Sequence, residues 1–174
     1  MEMEAEKKIE KTIEQLFAEK DPVANNTIKN YLIGAMGVGL IPFPIVDFVA
    51  IAGIQLGMLK KLSDIYEVEF SKDMGKSIIG SLVGSATPFL ILQPAASLIK
   101  VIPIVGWSIG MATMPIVAGA STYALGKVFK KHFETGGTLF NLDPERMKKY
   151  YEEKYTEGKK MAGELKKEAA AKKI

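Results

Sequence analysis

Two uncharged stretches, SIIGSLVGSATPFLILQPAASLI at residues 77–99 and VIPIVGWSIGMATMPIVAGASTYALG at residues 101–126, dominate the middle of this chain. Lys100 alone separates them, and Ile102-Pro-Ile-Val-Gly106 supplies a turn between two helices. Each stretch exceeds the about 20 apolar residues that a helix needs to cross the hydrocarbon core of a membrane. We therefore predict a hairpin of two transmembrane helices.

A shorter apolar hairpin is predicted before these stretches. Residues 31–59 contain one charged side chain, Asp47, and Ile41-Pro-Phe-Pro44 divides them because two prolines spaced by one residue cannot continue a regular helix. The first arm, residues 31–40, would rise only about 15 Å as a helix, roughly half of the ~30 Å hydrocarbon core. We therefore expect this hairpin to be re-entrant or to lie on the membrane surface.

Formal charge is segregated along the chain. Residues 1–29 carry a net charge of −2, residues 30–126 a net charge of 0 and residues 127–174 a net charge of +5, in agreement with the overall +3. An uncharged middle between charged ends is typical of membrane proteins. The lysines that follow residue 126 predict, by the positive-inside rule, that both termini are cytoplasmic.

An amphipathic helix is predicted at each end of the chain. In residues 3–20 apolar side chains recur at helical spacing until Asp21-Pro22 ends the pattern: Ile9, Ile13, Leu16 and Phe17. Near the other end, Asp143 is a candidate N-cap and Pro144 a first helical residue. The lysine-rich face of this last helix could bind anionic lipid or a partner helix, or it could simply be solvated, because glutamates are interleaved with the lysines.

These elements predict an all-α fold, a bundle of two hydrophobic helical hairpins flanked by amphipathic N- and C-terminal helices. We expect a single domain over residues 1–174, with an N-terminal helix at 1–21, a hydrophobic helical core at 27–136 and a basic C-terminal helix at 143–173.

Small residues recur four apart within the apolar segments. The pairs are Gly53 and Gly57, Gly80 and Gly84, and Gly106 and Gly110. Such spacing lets helix backbones approach closely in lipid, within one chain or between copies, which leaves a homo-oligomer open. The plainer interpretation is that glycine is common in membrane helices.

Asp47 is a candidate site residue because a carboxylate in hydrocarbon must be partnered, protonated or near water. It could belong to an ion or proton site, but we favour a first-turn acid just after Pro44, where the helix dipole stabilises it. Gln55 lies two turns further on the same face and could hydrogen-bond to a neighbouring helix. Lys100 and Trp107 bracket the second turn and are candidate anchors at the membrane interface.

No catalytic site, cofactor or metal is predicted. The chain has no cysteine, and its one histidine, His132, has no partners for a metal cluster. The glycines of Gly34-Ala-Met-Gly-Val-Gly39 lack the lysine and hydroxyl ending of a phosphate loop. Arg146 is the one arginine and no recognition motif is present, so we expect no nucleic-acid partner.

The order of motifs resembles a bacterial family catalogued as domain of unknown function 697. The resemblance covers roughly residues 27–136 and rests on these segments: Ile41-Pro-Phe-Pro-Ile-Val-Asp47, Ile54-Gln-Leu-Gly-Met-Leu59 with Leu62 and Tyr66, Ile102-Pro-Ile-Val-Gly106 and Ser121-Thr-Tyr-Ala-Leu-Gly126. It implies a helical, membrane-associated domain that in many members accompanies a GTPase domain, which is absent here. A separate GTPase partner is the hypothesis that follows.

We therefore predict a non-enzymatic protein whose main partner is a lipid membrane, with a scaffold, membrane-shaping or anchoring role. One alternative is a soluble helical bundle or homo-oligomer with an ordinary core. Another is a small channel or transporter that uses Asp47 and Gln55.

Overall fold

The computed structural model describes residues 2–40, 44–95 and 103–172, except for the side chains of residues 2, 5, 44–48, 86–95 and 103–112. Within these ranges the chain forms helices and no strand: α1 (Glu2–Val38), α2 (Pro44–Tyr66), α3 (Lys72–Ala95), α4 (Pro103–Glu134) and α5 (Pro144–Ala171). The all-α prediction is confirmed.

Helix α4 is the centre of the bundle, with its most extensive contacts to α5 and α1. It runs antiparallel to α1, since Lys130 meets Asp21 near one end and Pro115 meets Gly39 near the other. Its large apolar side chains are buried in one core with side chains from α1, α2, α3 and α5: Ile28, Leu32, Leu59, Leu62, Leu82, Leu125, Phe129 and Tyr151. Burial of such side chains is the main stabilising contribution to the fold.

Helix α1 corrects the prediction of a terminal helix that ends at residue 21. The helix continues through Pro22 to Val38, so residues 31–38 extend it rather than start a separate arm. A proline inside a helix costs about 3 kcal/mol. The fully buried Ile28 and Leu32 together offset that cost, since each buried side chain of this size contributes about 1.5–3 kcal/mol.

The N-terminal half of α1 projects from the bundle. Every residue from 3 to 16 whose side chain is described is exposed, including Ile9 at 60%, Ile13 at 47% and Leu16 at 51%. The predicted amphipathic pattern is therefore helical. Phe17 packs on the core, with its ring 6.5 Å from that of Tyr66, whereas Ile9, Ile13 and Leu16 stay exposed.

A tight turn connects α2 to α3. Helix α2 continues to Tyr66, and its last turns place Leu62 and Tyr66 in the core. Glu67 then adopts a left-handed conformation with φ 58°, and the Val68 amide donates to the Ser63 carbonyl at 2.9 Å. This is a Schellman-type helix end with glutamate where glycine is usual.

The C-terminal helix begins as the sequence predicts. Asp143 is the N-cap, and its side chain accepts hydrogen bonds from the Glu145 and Arg146 amides, with Pro144 at the first helical position. A left-handed Gly136, φ 79°, ends α4 before this loop. Local capping chemistry therefore determines this helix start.

The prediction of two transmembrane helices is not supported. None of the helices in the described ranges is both long enough and apolar enough to cross a membrane. Helix α3 starts at Lys72 and includes Asp73 and Lys76, while α4 continues past the apolar stretch into a charged last turn. The later part of that stretch, residues 118–126, is buried among the other helices, and Lys127 directly after it is half-buried.

Candidate functional site

A buried polar cluster joins α2, α4 and α5. Gln55 is only 4% exposed, and its amide donates to the Ser121 hydroxyl at 3.2 Å and to the Thr122 hydroxyl at 3.4 Å. Ser121 also shares a hydrogen bond of 3.0 Å with the Tyr151 hydroxyl. The expected bond from Gln55 to a neighbouring helix is therefore present, to two hydroxyls of α4.

The cluster is neutral. Burial raises the pKa of Tyr151 well above its ordinary value, so its hydroxyl stays protonated at physiological pH. Each of these polar side chains is hydrogen-bonded to another member of the cluster. The cluster therefore satisfies the hydrogen-bonding groups that are buried here and fixes the register of three helices. Its chemistry is that of a structural hydrogen-bond network.

Asp47 lies in the first turn of α2, two turns before Gln55, but its side chain is outside the described residues. The cap and ion-site interpretations both stay predictions. Lys100 also lies outside the described residues, and only the backbone of Trp107, near the start of α4, is inside them. Their proposed role as interface anchors stays a prediction.

A charged cluster that the sequence analysis missed lies at one end of the bundle. Lys130 bonds to Asp21 and, at 2.7 Å, to Glu134, whose carboxylate also accepts a hydrogen bond of 3.1 Å from the Tyr66 hydroxyl. This charged end ties α1, α2 and α4 together. The four residues come from three separate helices, so no spacing in the sequence could indicate them.

The pKa values of this cluster follow from its geometry. The hydrogen bond from Lys130 lowers the pKa of the Asp21 carboxyl. Burial lowers the pKa of Lys130, but its two carboxylate partners outweigh that effect and raise it above its ordinary value. Burial and the Glu134 carboxylate raise the pKa of Tyr66. All three groups therefore keep their ordinary charge states near neutral pH.

The neighbouring lysines of α4 contact aromatic rings. The Lys131 ammonium lies 4.2 Å from the centre of the Tyr150 ring, and Lys127 lies 5.4 Å from that of Tyr123. Lys127 also donates to the Asn25 amide oxygen at 2.6 Å. These lysines attach α5 and α1 to α4, in addition to giving this end its positive charge.

The predicted packing glycines lie in different surroundings. A side chain added at Gly57 would come within 3.4 Å of Tyr31, whereas Gly53, Gly80 and Gly84 have no atom within 4 Å of that position. Gly106 and Gly110 lie where side-chain contacts are not described. A role for these glycines in contacts with other helices stays a prediction.

The glycines at the tightest helix contacts are different ones. A Cβ at Gly158 would come 2.9 Å from the Ala120 Cα, and a Cβ at Gly126 would come 2.7 Å from Ile28. The first glycine lets α5 approach α4, and the second lets α1 approach it. Glycine spacing alone does not indicate which pairs face a neighbour, since several exposed glycines have the same spacing.

The bundle has a second, less polar end, where α1 finishes, α2 begins and Pro115 of α4 meets Gly39. Leu40 is 68% exposed and Val49 72% exposed on either side of the α1–α2 connection. We call this the apolar end. Among the described side chains it exposes large aliphatic residues, in contrast to the ion pairs of the charged end.

Comparison with known proteins gives two findings. A family model described as "Domain of unknown function (DUF697)" matches residues 3–160. The chain is also 44% identical over 155 residues to "Magnetosome membrane protein 22" from Magnetospirillum gryphiswaldense, with 87% of this chain and 80% of that protein covered. No solved structure matches the chain.

Proposed function

The chain belongs to the family described as Domain of unknown function (DUF697), and we propose that it is a membrane-associated helical protein without catalysis that acts as a scaffold. The observation that carries the proposal is the 44% identity to a protein named for a membrane. The scaffold role covers membrane shaping and the anchoring of a partner protein, such as a GTPase.

The difference in polarity between the two ends of the bundle supports this proposal and indicates which end faces the membrane. Exposed Leu40 and Val49 at the apolar end can enter the interface of a bilayer, whereas the ion pairs around Lys130 favour water at the charged end. Both chain termini are proposed to lie on the cytoplasmic side.

The buried polar cluster supports a structural role for Gln55 rather than a transport site. A channel or transporter that uses Asp47 and Gln55 needs the Gln55 amide to meet water or ions, but that amide already donates to Ser121 and Thr122. Ion flux through liposomes containing the parent protein, lost on Asp47→Asn, would instead favour a channel.

Membrane fractionation tests the proposed function. Cells that express the chain are lysed, and the membrane fraction is washed with high salt and then extracted with carbonate. We expect the chain to stay with membranes through the salt wash, and retention after carbonate would establish insertion. A chain found entirely in the soluble fraction before any wash would contradict the proposal and favour a soluble bundle.

A matched pair of variants tests whether the apolar end of the bundle faces the membrane. Val49→Glu places a charge at the apolar end, whereas Phe140→Glu places the same charge at a residue 59% exposed in the α4–α5 loop. We expect the first variant to reduce the membrane-bound fraction and the second to leave it unchanged. Equal behaviour of the two variants would show that the apolar end does not face the membrane.

A further inference from the structure

The projecting half of α1 has an apolar stripe on its surface with no partner within the described chain. Ile9, Ile13 and Leu16 recur at four- and three-residue spacing, Val23 continues the same face seven residues further on, and each is between 47% and 60% exposed. Contiguous apolar surface of this kind marks an interaction site in a folded protein. We call these four residues the α1 stripe.

The stripe lies on an acidic segment. Residues 2–19 contain six glutamates and three lysines, a net charge of −3. Two such segments placed side by side would repel each other, so a symmetric stripe-to-stripe dimer is disfavoured. The same charge disfavours an anionic membrane surface as the occupant.

A complementary groove lies at the other end of the same helix. It has a volume of about 380 Å³ and an apolar floor from the end of α1, from α4 and from α5: Ile33, Met36, Leu40, Pro115 and Leu165. Its size is within the roughly 300–1,000 Å³ that ligand pockets occupy. Lys166, Glu168 and Lys172 edge it.

The charge of the groove has the opposite sign to that of the stripe. Residues 159–172, the last part of α5, contain five lysines and two glutamates, a net charge of +3. An apolar stripe on an acidic helix and an apolar groove beside a basic helix are complementary in both hydrophobicity and charge.

One chain cannot bring its own stripe into its own groove. Ile13 and Met36 lie on one continuous helix, 23 residues and therefore roughly 35 Å apart. We propose that the α1 stripe of one copy docks in the groove of a second copy, head to tail. Because each copy keeps one unused stripe or groove, such a contact generates a ring or an open chain of copies.

Docking of one copy on another does not depend on membrane association. Sedimentation velocity of the purified full chain, over a range of concentrations and without lipid, measures it directly. We expect the average mass to rise with concentration and the association to weaken at high salt, because the docked segments have opposite charges.

Two variants test the α1 stripe and the groove one at a time. Ile13→Glu places a charge in the stripe, and Ile33→Glu places one in the groove, at a side chain that is 46% exposed. We expect each variant alone to associate at least about tenfold more weakly. Gln15→Glu, which adds the same charge beside the stripe without removing an apolar side chain, is the control and is expected to associate like the parent.

Mixing the two variants is the decisive step. The Ile13→Glu chain keeps an intact groove and the Ile33→Glu chain an intact stripe, so an equimolar mixture should form one-to-one dimers that grow no further. A parent that stays monomeric at every concentration, or a mixture that stays monomeric although the parent associates, would overturn the proposal.

Circular dichroism of each variant checks that the helices are intact, and Leu16→Gln gives a second stripe variant should Ile13→Glu fail to fold.

Vesicle flotation tests whether lipid occupies the groove instead. A monomeric parent whose vesicle binding is lost on Ile33→Glu would assign the groove to lipid and contradict docking. Membrane fractionation of Ile13→Glu keeps the two proposals distinct, since membrane association is expected to survive the loss of assembly.

Discussion

The two halves of α1 carry apolar residues at the same helical spacing but lie in opposite surroundings. Ala24, Ile28 and Leu32 are fully buried against the bundle, whereas Ile9 and Ile13 are about half exposed or more. An amphipathic pattern therefore indicates that one face of a helix favours burial, but it does not indicate whether the same chain covers that face. The contrast between these halves can be measured.

The largest expected effect on stability comes from shortening a buried apolar side chain of α1, and the comparison is the same change at an exposed one. Leu32→Ala should lower the free energy of unfolding by about 2–5 kcal/mol, because it leaves a cavity in the core. Ile13→Ala should change it by less than about 0.5 kcal/mol in dilute solution, because its side chain is exposed. Urea denaturation at low protein concentration measures both. An equal cost for the two substitutions would mean that the projecting half is covered within a single chain.

The next effect concerns the close contact between α1 and α4. Gly126→Ala should lower the free energy of unfolding by about 1–3 kcal/mol, since its Cβ would come 2.7 Å from the buried Ile28 and 3.1 Å from the Met58 sulfur.

Gly34→Ala, on the exposed side of α1, is the matched control because no atom lies within 4 Å of its added Cβ. It should be neutral or stabilising by up to about 1 kcal/mol, since alanine favours a helix over glycine. If Gly126→Ala were equally harmless, α1 and α4 would not pack this closely.

The smallest effect concerns the junction of the two halves, where Asp21 bonds to Lys130. The pKa of Asp21 is lowered in the folded chain, so its contribution to stability is full above the ordinary value of 3.8 and is lost as pH falls toward the folded value. The Asp21 side chain is 47% exposed, so the contribution should be at most about 1 kcal/mol.

Asp21→Asn should therefore be less stable than the parent at pH 7, and the difference should shrink below about pH 4. Urea denaturation across this range measures it. A difference that stayed constant down to pH 2 would show that the carboxylate charge is not responsible. Thr12→Ala, in the projecting half, is a control with no charge to titrate.

Much of the local structure could be predicted from the sequence. The helix start at Asp143 and Pro144 depends on residues within one turn of each other, and it is confirmed. The end predicted at Pro22 is wrong, because the cost of a proline is offset by packing against α4, whose residues lie about a hundred positions later in the chain.

The candidate site, too, could be predicted from the sequence only in part. Gln55 could be singled out as a polar side chain in an apolar segment, but its partners Ser121 and Thr122 are 66 and 67 residues away. No pattern in the sequence indicated the charged cluster around Lys130, because its members are residue types that are common on protein surfaces. Among the glycines, Gly57 meets a neighbouring side chain while three others at the same spacing meet none.

The sequence by itself determined the helical class, the family and the capping of the last helix, because periodicity, motif order and capping act over a few neighbouring residues. Only the tertiary structure decided where α1 continues, which polar groups are buried together and which apolar stripe is left uncovered. Those outcomes depend on contacts between residues far apart in the chain, where burial and hydrogen bonding outweigh local preferences.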